Sequence, residues 1–209
     1  MIDDQVQAVL DAYHARAEEE MRRLRERPPK GGLDDVRDQL LLAVGPETGR
    51  LLNILARSLA KPNILELGTS YGYSGIWLAE AARARGGRVT TLELADYKSK
   101  HAREMSAKAG LAEYVDFVVG DAVKAIGELP FRLDFVLVDL WKDMYVPCLE
   151  AFYPKLNPGA IVVADNMTFP ESARQNAEAY RRRVRETRRF DSVLLPIGSG
   201  IEVSRFLGK

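Results

Sequence analysis

Two apolar segments of the chain are each followed directly by side chains that carry oxygen donors. Asp139 comes after residues 135–138, and Asp165 and Asn166 come after residues 161–164. Ligands of open α/β sheets bind beyond the carboxyl ends of the strands, so these side chains would share a cleft if the two strands are neighbours. Two carboxylates and an amide suit a hard cation such as Mg²⁺, and they leave positions for water or for two adjacent hydroxyls of a ligand. The pattern therefore predicts a divalent-cation site.

Lys142 lies three residues after Asp139, so the two side chains face the same cleft if a helical turn begins at this point. A dry cleft and a nearby cation lower the pKa of a lysine towards neutrality, and such a lysine can act as a general base. Two alternatives stay open. Lys142 is an ordinary solvated lysine, or Asp165 and Asn166 only cap a turn.

Residues 66–75 carry three glycines at a predicted turn from strand to helix. Glycine lets the backbone approach a ligand closely, and the free N–H groups of the following helix attract a carboxylate or a phosphate. Glu93 ends the next predicted strand, where an acid accepts hydrogen bonds from ribose hydroxyls in dinucleotide-binding folds. Thr69 and Ser70 stand where such folds place a second glycine beside the pyrophosphate, which argues against NAD.

Alternating strands and helices must position these groups. Five short apolar runs fit the buried strands of a parallel sheet, and the helices between them predict a doubly wound α/β domain. The predicted strands are 64–67, 88–92, 115–118, 135–138 and 161–164, separated by helices at 74–85, 97–109, 122–129 and 144–155. A hairpin is predicted at 192–196 and 201–206, and three helices at 4–27, 33–42 and 46–60 precede the first strand.

The composition narrows the class of partner. The 209 residues include 30 basic and 30 acidic side chains, so the formal net charge is zero. A neutral total provides no electrostatic argument for nucleic acid or for a membrane surface, and no apolar run approaches the roughly 20 residues of a membrane helix. Cys148, the single cysteine, is expected in the core and indicates a reducing compartment. A cytoplasmic protein is expected, with His14 and His101 on exposed helix faces.

The motifs at 64–74, 91–93 and 119–121 together resemble the class I S-adenosylmethionine-dependent methyltransferases. The pattern Asp-Leu-Trp-Lys-Asp-Met-Tyr at 139–145, followed by Ala-Asp-Asn at 164–166, is similar to the cation-dependent O-methyltransferases, which include the catechol and caffeoyl-CoA enzymes. The resemblance extends over about residues 40 to 206. It implies an α/β, Rossmann-like methyltransferase fold with a mostly parallel seven-stranded sheet, a C-terminal antiparallel hairpin and N-terminal helices.

The resemblance also implies roles for particular residues. Lys142 is the catalytic base, and Asp139, Asp165 and Asn166 bind the metal, which is Mg²⁺ or else Mn²⁺ or Ca²⁺. The cofactor is S-adenosylmethionine. The implied cofactor-binding positions are Val44, Glu66, Gly68, Thr69, Ser70, Tyr73, Ser74, Glu93, Leu94, Asp121, Ala122, Asp139 and Trp141.

The substrate implied by the resemblance is a small aromatic molecule with two adjacent hydroxyls, such as a caffeoyl or flavonoid compound. Relatives of the caffeoyl-CoA type imply a homodimer. A single domain is expected, with residues 1–60 as helices that form cap or oligomer contacts and 61–209 as the core. The chain departs from the animal catechol enzyme in two places. Leu140 replaces a histidine, and the hairpin offers no acid that we can assign to the second substrate hydroxyl.

Other functions compete with this interpretation. An NAD-dependent oxidoreductase shares the fold class, and so does a methyltransferase that acts on another small molecule. Enzymes that methylate amino groups of nucleic acids usually carry an Asn/Asp-Pro-Pro-aromatic run after the fourth strand, whereas residues 139–142 here read Asp-Leu-Trp-Lys. A non-catalytic interaction protein is disfavoured by the complete set of predicted metal ligands together with Lys142.

Overall fold

The computed structural model describes residues 2–30, 32 and 35–208. Within these ranges seven α-helices and seven β-strands follow one another along the chain. The helices are α1 (Asp4–Glu26), α2 (Pro46–Arg57), α3 (Tyr73–Arg85), α4 (Asp96–Lys108), α5 (Ala122–Glu128), α6 (Tyr145–Phe152) and α7 (Arg174–Glu186). The strands are β1 (Asn63–Leu67), β2 (Arg88–Glu93), β3 (Val115–Val119), β4 (Leu133–Val138), β5 (Leu156–Ala164), β6 (Phe190–Leu195) and β7 (Ile201–Phe206). A bilayer crossing needs a long apolar helix, and none of the helices in the described ranges meets that requirement.

The strands form one sheet in the order β3-β2-β1-β4-β5-β7-β6. Strands β1 to β5 are parallel to one another, whereas β7 is antiparallel to both β5 and β6. The predicted fold, a mostly parallel seven-stranded sheet with a C-terminal antiparallel hairpin, is confirmed. The chain runs outwards from β1 to β3 and then returns to β4 on the other side of β1. This reversal of strand order leaves a crevice at the carboxyl ends of β1 and β4, where ligands of such sheets bind.

Apolar side chains cover both faces of the sheet, as the burial of parallel strands requires. On one face α1, α2, α3 and α4 pack around a core that includes Leu52 and Trp77. On the other face α5, α6 and α7 pack around Phe152 and Tyr180. Cys148 is buried in this second core, so its thiol belongs to the packing, as predicted.

The predicted helix at 33–42 is wrong over its described part. Arg37–Gln39 forms a single 3₁₀ turn, and the chain from 40 to 45 follows a non-helical path. Leu42 has a φ of 46°, a left-handed conformation that a right-handed helix cannot contain. Residues 33 and 34 lie outside the described ranges.

This segment is not held by the backbone hydrogen bonds of a helix. It is held by hydrogen bonds to side chains of α1. The Glu20 carboxylate accepts a hydrogen bond from the Leu41 N–H at 2.8 Å. Arg16 donates to the Gln39 carbonyl at 3.1 Å. Such tertiary hydrogen bonds satisfy backbone groups that a helix would otherwise pair internally, and they lay the segment against α1.

Candidate functional site

The ends of β4 and β5 bring the two predicted acidic ligands together. Val138 pairs with Ala164 in the parallel register of these strands, so Asp139 and Asp165 are the next residues on neighbouring strands. The Asp165 N–H donates to the Val138 carbonyl at 3.1 Å, which keeps the two strand ends in register. Both carboxylates are largely enclosed, with Asp165 4% exposed and the Asp139 side chain 18% exposed.

Asn166 follows Asp165 in a left-handed backbone conformation with a φ of 58°. Its N–H donates to Oδ1 of Asp165 at 2.6 Å, so the turn is closed by the carboxylate of the preceding residue. Asparagine tolerates this conformation better than most residues do. The three predicted oxygen donors therefore occupy one edge of the sheet.

Burial and mutual repulsion shape the electrostatics of this edge. Burial, together with the negative charge of Asp139, raises the pKa of Asp165 to about 7. Burial also raises the pKa of Asp139, and the positive charge of Lys142 opposes that rise. Two carboxylates that share a poorly hydrated edge favour a bound cation or a shared proton.

The described residues contain no cluster of three or more His, Cys, Asp or Glu side chains placed to hold a metal ion. A cation at the ends of β4 and β5 would therefore need the Asn166 amide in addition to the two carboxylates. A donor set of this kind, made of oxygen atoms alone, fits Mg²⁺ or another hard divalent cation.

Lys142 lies on a 3₁₀ turn, Lys142–Met144, that begins four residues after β4 ends at Val138. Its Nζ atom is 3.2 Å from Oδ1 of Asp139 and 2.7 Å from the Tyr145 hydroxyl. The side chain is only 14% exposed. The structure thus excludes a freely solvated lysine, while the role of Lys142 as a base stays a prediction.

Tyr145 belongs to the same cluster and was not predicted from the sequence. It is the first residue of α6, it is buried, and its hydroxyl donates to the Asp165 carbonyl at 3.1 Å. The available signal was its spacing, since Tyr145 follows Lys142 by three residues within the motif 139–145.

Gly68 connects the glycine loop to the acidic edge. Its φ is 100°, and a Cβ atom at this position would lie 2.1 Å from the Asp139 carbonyl oxygen. Any larger residue would collide with that backbone and would also be strained, because L-residues avoid this region of φ. The loop after β1 therefore packs directly on the chain that leaves β4.

Glu93, at the end of β2, holds the glycine loop through its carboxylate. One oxygen accepts from the Ser70 N–H at 2.8 Å, and the other accepts from the Ala95 N–H at 3.0 Å. Each oxygen keeps a second lone pair. The acid predicted to meet a ribose therefore lies beside the loop predicted to meet the rest of the same ligand.

Glu66 lies behind the glycine loop with no exposed surface. Its carboxylate accepts hydrogen bonds from the Ser74 hydroxyl at 2.6 Å and from the Thr91 hydroxyl at 2.5 Å. Burial raises its pKa to about 7, against the effect of these two hydrogen bonds. Thr69, also buried, exchanges a hydrogen bond with Thr91, so the loop rests on a polar network inside the core.

The other predicted cofactor positions lie at the same edge of the sheet. Asp121 caps α5 by accepting from the Lys124 N–H at 2.8 Å, and Ala122 begins that helix. Leu94 and Trp141 are large apolar residues that are 73% and 55% exposed. Leu94 directly follows the end of β2, and Trp141 lies three residues beyond the end of β4.

Helix α1 contributes two contacts to the glycine loop and its following helix, and neither was predicted from the sequence. The Tyr13 hydroxyl donates to the Tyr71 carbonyl at 2.6 Å, and a ring nitrogen of His14 lies 2.8 Å from the Tyr73 hydroxyl. His14 is half-buried rather than exposed, so its predicted surface position is corrected, and so is that of His101, which packs edge-on against Tyr71.

Comparison with known proteins identifies relatives of this arrangement. Residues 65–167 match the family described as a methyltransferase domain. A Mycobacterium tuberculosis protein described as a probable O-methyltransferase is 36% identical over 173 residues, which cover 73% of this chain and 72% of that protein. A catechol O-methyltransferase of the same organism is 37% identical over 132 residues, which cover 60% of this chain and 57% of the relative.

A solved structure resembles the whole chain. It is the O-methyltransferase of Streptomyces achromogenes that is involved in tomaymycin synthesis, in complex with S-adenosylmethionine. It is 25% identical, has a TM-score of 0.75, and its alignment covers 99% of this chain and 91% of that one. The similarity therefore includes the N-terminal helices as well as the sheet.

Proposed function

This chain belongs to the class I, S-adenosylmethionine-dependent O-methyltransferase family, and we propose that it methylates one hydroxyl of an aromatic ring that carries two adjacent hydroxyls. The observation that carries the proposal is the meeting of Asp139 and Asp165 at neighbouring strand ends, with Lys142 Nζ 3.2 Å from Asp139. This arrangement supports an oxygen-rich cation site and a candidate base at one point of the crevice.

The methyl donor occupies the crevice between β1 and β4 in this proposal. The loop at Gly68 holds its methionine part, with Tyr73 and Ser74 beside it and Val44 in the segment that covers it. Glu93 binds the ribose, and Asp121, Ala122 and Trp141 surround the adenine. A relative solved in complex with S-adenosylmethionine supports this choice of methyl donor.

Asp139, Asp165 and Asn166 are proposed to hold a divalent cation, most suitably Mg²⁺, with Mn²⁺ and Ca²⁺ as alternatives. When bound, such a cation supplies a Lewis acid that lowers the pKa of a coordinated phenol. Its positive charge would also offset the repulsion between the two enclosed carboxylates.

Lys142 is proposed to take the proton of the reacting hydroxyl at Nζ. The ring oxygen then carries the electron pair that forms the new bond to the methyl carbon, while the bond from that carbon to sulfur breaks. Enclosure of the lysine, which is 14% exposed, limits competition from water. Positioning of the two reactants, rather than covalent catalysis by the protein, would provide much of the acceleration.

A substrate with two adjacent hydroxyls fits the donor set better than a lone phenol does. Three protein ligands would leave open positions on a hard cation such as Mg²⁺, and a vicinal diol could fill two of them. The similarity to a catechol O-methyltransferase, at 37% identity, supports this class of acceptor. A methyltransferase that acts on another small molecule is the remaining alternative.

We also propose that residues 1–60 form a cap over the site of a single domain whose core is 61–209. The N-terminal half of α1 packs on its own chain through Val6, Leu10 and Tyr13. Met21, further along the helix, is exposed. Sedimentation of the purified protein measures whether two copies of this chain associate.

The base is tested with Lys142→Ala. The rate at saturating substrate should fall by roughly 10²- to 10⁴-fold, because general-base catalysis contributes about that factor. Cofactor affinity should be nearly unchanged. Lys100→Ala is the matched control, since Lys100 is exposed and pairs with Asp96 on the surface of α4. An unchanged rate in Lys142→Ala at neutral pH would exclude the lysine as the base.

A further inference from the structure

Tyr145 contacts the candidate base, Lys142, and links it to Asp165 at the end of β5. The residue opens α6 and is fully buried. Its hydroxyl oxygen is 2.7 Å from Lys142 Nζ and 3.1 Å from the Asp165 carbonyl oxygen. The Tyr145 hydroxyl therefore contacts both the candidate base and the backbone of Asp165.

The direction of these hydrogen bonds follows from the number of protons available. A tyrosine hydroxyl has one proton, and the carbonyl of Asp165 can only accept it. The hydroxyl oxygen must then act as an acceptor towards Lys142, so the lysine donates. Lys142 also donates to Oδ1 of Asp139 at 3.2 Å.

These two acceptors determine how the amine of Lys142 is oriented. Tyr145 and Asp139 each accept one of its N–H bonds. The remaining bonding direction at Nζ points away from both acceptors, and this is the direction in which the lysine can meet a substrate hydroxyl.

The packing around Tyr145 prevents its hydroxyl from swinging away. The ring of Tyr180 in α7 meets the Tyr145 ring edge-on, with the centroids 5.7 Å apart. Both rings are buried in the core formed by α5, α6 and α7. The acceptor for the lysine is thus fixed by the core rather than by a mobile surface group.

We propose that Tyr145 is a positioning residue for methyl transfer, which orients the amine of Lys142 and ties it to the strand end that carries Asp165. The inference rests on the proposed role of Lys142 as the base. It adds a residue that acts only through that lysine, without touching the substrate.

The variant Tyr145→Phe removes the hydroxyl and keeps the ring. We expect the rate at saturating substrate to fall about 10- to 100-fold, the scale of a small misplacement of a reacting group. The affinity for S-adenosylmethionine should stay within about twofold of the wild-type value. Tyr180→Phe is the matched control, because it removes a hydroxyl from a neighbouring buried tyrosine and should leave the rate near that of the wild type.

A double-mutant cycle separates positioning from a general structural effect. If Tyr145 acts through Lys142, Tyr145→Phe should cause no further loss of rate in a Lys142→Ala background. Rates are expressed per cofactor site counted by calorimetry, so that unfolded protein does not count. If Tyr145→Phe does not fold, Tyr145→Met, which keeps an apolar side chain without the hydroxyl, takes its place in the cycle.

Two results would overturn the inference while the proposed base survives. One is a wild-type rate in Tyr145→Phe, and the other is the same loss of rate in both backgrounds. A fully active Lys142→Ala single variant would instead remove the base itself, and the role of Tyr145 with it. The two failures are therefore distinguishable within one set of variants.

Discussion

The surroundings of Glu66 change the pKa of its carboxyl group. Its carboxylate is buried, and the hydroxyls of Ser74 and Thr91 are its hydrogen-bond donors. Burial disfavours the charged form, and its pKa rises from an ordinary 4.5 to about 7. The folded chain therefore keeps a proton on Glu66 over a range of pH in which the unfolded chain has lost it.

This difference makes the stability of the protein depend on pH with a definite sign. Between 4.5 and about 7 the folded state binds more protons than the unfolded state, so the free energy of unfolding falls as pH rises through that window. The total contribution is about 3 kcal/mol, from the shift in pKa. Glu66→Gln cannot ionise and should flatten the dependence.

The measurement is urea unfolding of the wild type and Glu66→Gln at several pH values from 4.5 to 8, without cofactor. The other buried acids are present in both proteins, so the difference between the two curves reports on Glu66 and on its coupling to neighbouring acids. Curves that stay parallel over this range would show that Glu66 titrates near its ordinary pKa, contrary to the expectation.

The residues of the candidate site differ in how far the sequence could reveal them. Asp139 and Asp165 were predictable because each directly follows an apolar strand, and parallel strands end at one edge. Tyr145 was not predictable, because its role depends on a hydrogen bond to the Asp165 carbonyl at the end of β5. His14 was not, because its partner Tyr73 lies 59 residues away in sequence.

At the scale of elements, α1 acts as a support for the glycine loop. Its Tyr13 hydroxyl donates to the Tyr71 carbonyl at 2.6 Å, inside the loop that runs from β1 to α3. The Tyr13 ring also packs edge-on against Tyr73, with the centroids 5.6 Å apart. A helix far from the sheet in sequence thus holds the loop proposed to bind the methionine part of the cofactor.

Tyr13→Phe should therefore weaken the binding of S-adenosylmethionine. The change removes one hydrogen bond and leaves a carbonyl in the loop unpaired. A single hydrogen bond contributes about 0.5–1.5 kcal/mol, which corresponds to roughly a 2- to 12-fold loss of affinity. Calorimetry measures the affinity directly. Tyr153→Phe is the control, since Tyr153 packs with Phe190 and Phe206 away from the loop, and equal affinities in the two variants would contradict the role of α1.

The elements themselves were largely readable from periodicity, with one exception. Strands β1 to β5 appear as apolar runs because the sheet is buried on both faces. The segment 33–42 contains residues that suit a helix, yet its described part includes the 3₁₀ turn Arg37–Gln39 and no α-helix. Its backbone is bound by Arg16 and Glu20 of α1, and a local pattern does not contain such a tertiary contact.

At the scale of the whole molecule, the order of the strands brings the proposed cofactor loop and the proposed cation site together. The reversal between β1 and β4 sets the glycine loop against the acidic strand end, with Gly68 packed on the Asp139 backbone. The fold alone would serve an oxidoreductase equally well. Membership of the O-methyltransferase family decides between the two in favour of methyl transfer.

The central claim is that a cation at Asp139, Asp165 and Asn166 selects a substrate with two adjacent hydroxyls. A lone phenol offers one oxygen to such a cation, and with a pKa near 10 it is almost wholly protonated at neutral pH. Caffeate and 4-hydroxycinnamate differ by one ring hydroxyl and are therefore a matched pair of acceptors.

The most direct test is a product assay by mass spectrometry on these two acceptors with S-adenosylmethionine, with and without EDTA, followed by added Mg²⁺ or Mn²⁺. We predict that caffeate receives one methyl group, that 4-hydroxycinnamate is a poor acceptor, that EDTA stops the reaction and that added metal restores it. Equal turnover of the two acceptors, or a rate untouched by EDTA, would contradict the claim and favour a metal-independent methyltransferase with the same fold.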